Sequence, residues 1–203
     1  MVSHSKEAAL KESTKYFKDD STASSVFVGK YALRNNADEL VELTPDDMHR
    51  RLAREFANAE AGYDDGMSFD EIYGLFEGFK YVIPQGSPMS AIGNPFSIQS
   101  ASNCFVIPSP VDSYGGIFQA DQQQAQIMKR RGGVGFDISN IRPKGQSTSN
   151  AAKTTDGIAV FMDRFSNTCR KVAQGGRRGA LMLTLSVHHP EIETFINIKR
   201  NQT

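Results

Sequence analysis

Cysteine is scarce in this chain: only Cys104 and Cys169 occur, far apart, with no CxxC and no Cys/His cluster. Neither a disulfide framework nor a zinc site is expected from that spacing, and no metal ligand set is assigned. An excess of either charge is also missing, since Lys and Arg together number 23 and Asp and Glu 23. That balance gives no broad electrostatic footing for DNA, RNA or a membrane surface, so any nucleotide must be held by a local site. No apolar run follows the polar and charged stretch Met1–Lys11, which leaves no reading as a signal peptide or a membrane span. The absences together predict a cytoplasmic protein with both thiols reduced unless one of them works. What is present is ordinary for a soluble globular chain: 203 residues, 39% of them hydrophobic, enough for one domain or a small domain with part of a larger one.

Residues 1–24 are rich in Ser, Lys, Glu and Asp and predict a flexible arm, with a short extended segment over Val26–Leu33. Helical signals then dominate residues 25–83. Thr44-Pro45-Asp46-Asp47 offers a cap, a first-turn proline and two acids at the positive end of a helix dipole, followed by a Met48, Leu52, Phe56, Ala59 stripe. Ser68 with Glu71 forms a capping box ahead of Ile72, Leu75, Phe76 and Phe79. After Pro84 the texture turns to Gly, Ser, Pro and Asn through Asn103, which predicts a long ordered loop. From there strands (Cys104–Ile107, Val134–Ile138, Ala180–Leu185) alternate with helices (Ile117–Lys129, Ile158–Val172, and one from Pro190 burying Ile192, Phe195 and Ile196). This alternation predicts an α/β fold with parallel strands over 84–203, too few to close a barrel.

Three segments stand out chemically. In Ser102-Asn103-Cys104-Phe105, a thiol at the start of a buried strand could exchange with a second thiol, or could be a small buried hydrophobe. In Arg130-Arg131-Gly132-Gly133-Val134-Gly135, with Arg142 and Lys144 downstream, glycines permit close backbone approach and the cations supply phosphate donors; the plain alternative is a tight helix-to-strand turn. In Gln174-Gly175-Gly176-Arg177-Arg178-Gly179, a glycine-rich basic loop could wrap an anion or be a solvated turn. His188-His189-Pro190 has the look of a metal pair, but adjacent histidines with no carboxylate or cysteine partner read better as a helix entry.

In this order the words SNCFVIPSP, KRRGGVGFDISNIRPKG and QGGRRGALMLTLSVHHPEIETFI resemble the large catalytic subunit of ribonucleotide reductases, above all the adenosylcobalamin-dependent class II branch and its class I relatives. The resemblance runs from about Val26 to Asn201. It implies a helical N-terminal domain leading into the first part of a ten-stranded α/β barrel. It also implies that Cys104 is the strand cysteine that reduces the ribose and becomes half of a redox disulfide. Ser87, Ser102 and Asn103 would hold substrate phosphate or ribose, and Gly132 and Gly133 would lie where the substrate base packs. Asp112 and Ser113 would bind the ribose or base of a dNTP or ATP effector, Arg142 and Lys144 would belong to its first loop, and Gln174, Gly175, Gly176, Arg177 and Arg178 to the loop that passes effector identity to the substrate. The radical cysteine, the second redox cysteine and the C-terminal tail would lie beyond Thr203.

The implied partners are the remaining C-terminal part of the large subunit, a second copy of the completed subunit, thioredoxin or glutaredoxin, and the nucleotides themselves. Adenosylcobalamin would supply the radical, or else a metal-containing partner subunit. On this reading the chain reduces ribonucleotides only when joined by the rest of the barrel. The rival reading is a non-catalytic nucleotide-binding or assembly module.

Overall fold

A computed structural model describes residues 2–172 and 179–200. The chain divides into two compact units, Met1–Asn103 and Cys104–Thr203. Among the described residues no helix is long and apolar enough to cross a membrane.

The first unit is helical: α1 (Lys6–Tyr16), α2 (Ser21–Lys30), α3 (Pro45–Glu60), α4 (Phe69–Phe76) and α5 (Gly86–Ala91). The sequence signals for α3 and α4 hold to the residue. Thr44 N–H donates to the Asp47 carboxylate at 3.0 Å, and Ser68 N–H to Glu71 at 2.8 Å, closing both N-termini as the capping logic requires. Met48, Leu52, Ile72 and Phe76 are buried, whereas Phe56 and Ala59 carry the α3 stripe out to the surface.

Three expectations for this unit are corrected. The arm over 1–24 is instead α1 and the first turn of α2, and Val26–Leu33 is not extended but runs through the end of α2. These helices pack through small residues as well as through Phe27 and Val28 of α2. Ala9, Ser13 and Ser24 are fully buried, Ser13 Oγ donates to Leu43 O at 2.6 Å and Ser24 Oγ to Leu10 O at 3.1 Å. A hydroxyl that finds a carbonyl partner is buried at little cost, so the pair closes with almost no hydrophobic periodicity. The third correction concerns 84–103, expected as a loop opening the second domain: it contains α5 and belongs to the first unit.

The second unit is α/β: β1 (Cys104–Val106), α6 (Tyr114–Met128), β2 (Gly133–Asp137), α7 (Ile158–Lys171), β3 (Leu181–Thr184) and α8 (Ile192–Asn197). The three strands are parallel in the order β1-β2-β3, an open sheet consistent with part of a barrel. Phe105, Val134, Phe136, Leu181 and Leu183 share the face packed on helices, where Phe136 meets the fully buried Phe165 of α7 edge-on at 4.9 Å. Gln124 ties α6 to α7 through Nε2–H donation to Phe165 O at 2.8 Å. α8 departs from expectation: it begins at Ile192, none of its residues is fully buried, and Ile196 is exposed, so only Phe195 leans on the core.

Candidate functional site

The side chains on the other face of the sheet follow from the pleat. Cys104, Val106, Gly133, Gly135, Asp137, Met182 and Thr184 share it by register. Val106 is 90% exposed and Met182 65%, and Cys104 is exposed too. The expectation of a buried strand at Cys104 is therefore corrected: alternation reports two faces, but no described element covers the one the thiol occupies. Its ladder neighbour, Gly133, has no side chain to shield it. Cys169 differs: it packs half-buried against the core, and burial pushes its thiol up. At the far end of this face burial works against the charge of Asp137, yet hydrogen bonds from Ser139 and Thr184 hold its carboxyl below the ordinary range.

Gly132 is accounted for by packing. An added Cβ would stand 2.5 Å from Ile127 and 2.8 Å from Phe105, so the α6-to-β2 turn closes only on glycine. In the first unit, Ser87 is 1% exposed with an unpartnered hydroxyl, and its N–H donates to Asn103 Oδ1 at 2.9 Å. The Asn103 amide also donates to Gln85 Oε1, which pins the start of α5. Ser102 is exposed, its backbone turned on Ser100 Oγ.

Asp112, Ser113 and Arg142 do come together, in a cavity of about 230 Å³. Arg142 Nε donates to Asp112 Oδ2 at 2.6 Å and Nη1 to Ser147 O at 2.7 Å. Ser113 caps α6 by accepting Gly116 N–H at 3.1 Å. The turn 111–116 that brings Asp112 inward needs Gly116, whose Cβ would lie 2.5 Å from Val111 O. Two aromatic rings, Tyr114 and Phe161, wall one side at 6.2 Å between centroids. The other wall is a hairpin over 145–155, closed by the Ser147–Thr154 bridge, that presents Thr148, Asn150, Thr154 and Thr155. Sequence reasoning missed this wall and Tyr114; the hydroxyl-rich run Ser147–Asn150 with Thr154 and Thr155 was the available signal. Lys144 does not line the cavity: its side chain is exposed and its backbone N–H donates to Glu191. Gln174, Gly175, Gly176, Arg177 and Arg178 lie outside the described residues. Among the described residues no group of three or more His, Cys, Asp or Glu could hold a metal.

An aromatic wall, a carboxylate fixed by an arginine and a ring of hydroxyls together suit a ligand with a flat ring, a sugar and an anionic tail. Comparison with known proteins places the chain in a family. The ribonucleotide reductase barrel domain matches residues 102–203, half of the chain. The vitamin B12-dependent ribonucleoside-diphosphate reductase of Mycobacterium tuberculosis is 30% identical over 181 residues, 87% of this chain and 25% of the relative. The ribonucleoside-diphosphate reductase large chain 2 of Saccharomyces cerevisiae is 39% identical over 101 residues, 49% of this chain and 12% of the relative. The large subunit of the Trypanosoma brucei brucei enzyme is 35% identical over 111 residues, covering 54% and 13%. The chain thus spans a quarter or less of the length of these relatives, and it belongs to the ribonucleotide reductase family.

Proposed function

We propose that this chain is the N-terminal part of a ribonucleotide reductase large subunit, reducing ribonucleotides to deoxyribonucleotides once the remaining strands complete a ten-stranded barrel around the open sheet face. The observation that carries this reading is the exposed thiol of Cys104 on that face, opposite the bare Gly133. There Cys104 would reach a ribose and, with a second cysteine from outside this chain, supply two electrons by forming a disulfide. Thioredoxin or glutaredoxin would then reduce that disulfide. Ser87, whose hydroxyl has no hydrogen-bond partner, would hold substrate phosphate or ribose together with Ser102 and Asn103. The Asp112–Ser113–Arg142 cavity would hold the dNTP or ATP effector, its aromatic wall taking the base and Arg142 the phosphates. The radical would come from adenosylcobalamin bound mainly outside this chain, or from a metal-containing partner subunit.

A non-catalytic effector-binding module is the second reading, favoured by the fact that every described residue lining the cavity comes from 112–161. One experiment separates them. The chain is combined with a polypeptide supplying the rest of the large subunit, and deoxynucleotide formation is followed with thioredoxin as reductant. Turnover that Cys104→Ser abolishes, while Cys169→Ser leaves it near the parent level, is the expected result. No turnover with nucleotide binding intact favours the module, and full turnover of Cys104→Ser overturns the role of the thiol.

A further inference from the structure

Glu191, which follows His188-His189-Pro190, is the N-cap residue of α8, yet its side chain makes no capping bond to that helix. Its carboxylate is turned elsewhere. Oε2 accepts the backbone N–H of Lys144 at 3.1 Å and that of Ile158 at 3.0 Å. Those two amides flank the segment that folds back as the 145–155 hairpin, the hydroxyl-bearing wall of the cavity. α7 begins at a glycine with φ +83 and has no cap of its own, so Glu191 supplies the missing acceptor and the negative charge that a helix N-terminus favours. Space for the carboxylate exists only because residue 157 is glycine: a Cβ there would meet Glu191 Oε2 at 2.5 Å and Lys144 Cβ at 2.8 Å.

His189 provides a second fastening one residue before Arg142. Its ring is buried, Nδ1 accepts Glu191 N–H at 3.1 Å, and Nε2 lies 2.9 Å from Ile141 O. Since Nδ1 is an acceptor, the proton belongs on Nε2, which donates to Ile141 O. Arg142 and both feet of the hairpin therefore hang from two residues of one short loop after β3.

We propose that His189 and Glu191 are positioning residues for the nucleotide effector: they hold the 141–158 wall in its binding shape, so that a nucleotide meets a preformed cavity. This rests on the reading of the Asp112–Arg142 cavity as the effector site. Preorganisation raises affinity by removing the ordering cost from the binding step.

The test uses the full chain with dATP, dGTP and dTTP as probes in calorimetry, beside hydrogen exchange at residues 144–158. Glu191→Gln keeps one carbonyl oxygen able to accept both N–H groups, whereas Glu191→Ala keeps none. Glu191→Ala is expected to weaken nucleotide binding about fivefold or more and to speed exchange at Lys144 and Ile158. Glu191→Gln should stay within about twofold of the parent, because a neutral acceptor loses little. Gly157→Ala, which pushes the carboxylate off its seat while leaving it ionised, should behave like Glu191→Ala and decides the matter if that variant does not fold. Parent-like affinity in both disrupting variants, or an equal loss in Glu191→Gln, overturns the proposal. If the parent chain binds none of the three nucleotides, the effector reading fails and the positioning role with it. Exchange at Lys144 and Ile158 still shows whether the fastening exists, so the two failures are distinguishable.

Discussion

Arg142 spends Nε on Asp112 and one Nη1 hydrogen on Ser147 O, leaving the rest of its fork for a ligand. A guanidinium already held in place loses little freedom when it meets a phosphate, and such a charge-assisted bond contributes about 1.5–3 kcal/mol. Arg142→Ala should therefore weaken deoxynucleoside triphosphate binding about tenfold or more in calorimetry. Arg142→Lys should fail to restore it, since a single ammonium cannot span Asp112, Ser147 and a phosphate at once. Unchanged affinity in Arg142→Ala would remove the residue from the site. Sequence reasoning reached Asp112, Ser113 and Arg142 through resemblance. That the side chain of Lys144 is exposed was not readable, because spacing along a loop says nothing of which way a side chain turns. It passed over Thr148, Asn150, Thr154 and Thr155 because a hairpin lacking apolar alternation leaves no periodic signal.

Helices with caps and apolar stripes, such as α3 and α4, were legible in the sequence; those joined by hydroxyls, such as α1 and α2, were not. The short α5 was hidden among Gly, Ser and Pro, and its stability comes from outside it. Arg51 of α3, 8% exposed, pairs with Glu42 at 2.7 Å, donates to Met89 O at 2.8 Å and also bonds Ile92 O at the end of α5. Glu42 in turn accepts Leu33 N–H at 2.8 Å, so both carboxylate oxygens are engaged. Removing one partner of a buried pair strands the other charge, at about 3–5 kcal/mol. Arg51→Met should accordingly lower the melting temperature by roughly 6–20 °C, given about 2–4 °C per kcal/mol at this chain length. A fall of only a degree or two would mean the pair is not holding α5 to α3.

The alternation of strand and helix made the parallel sheet readable, and the three strands lie where the apolar runs put them. What the sequence could not convey is which face stays bare. Val106 and Met182, both exposed on the face of Cys104, are apolar residues with nothing described over them. The two outer strands also each present an unpaired backbone edge among the described residues. Supplying the missing strands should cover both. In thermal unfolding, the chain mixed with the rest of the large subunit should melt at a higher temperature than alone, and the dye fluorescence of exposed apolar surface should drop in parallel. An unaltered melting curve on mixing would mean that this face is not where the remainder of the subunit docks.

The sheet order β1-β2-β3 repeats the order of the chain, so each strand pairs with the one made just before it. Among the described strands, β2 and β3 each find a neighbour already made when they emerge. At roughly 5–20 residues per second, each helix–strand unit leaves the ribosome over seconds, far longer than loop closure requires. The second unit is thus suited to being laid down as it is translated, each new strand added to the edge that the previous one left open.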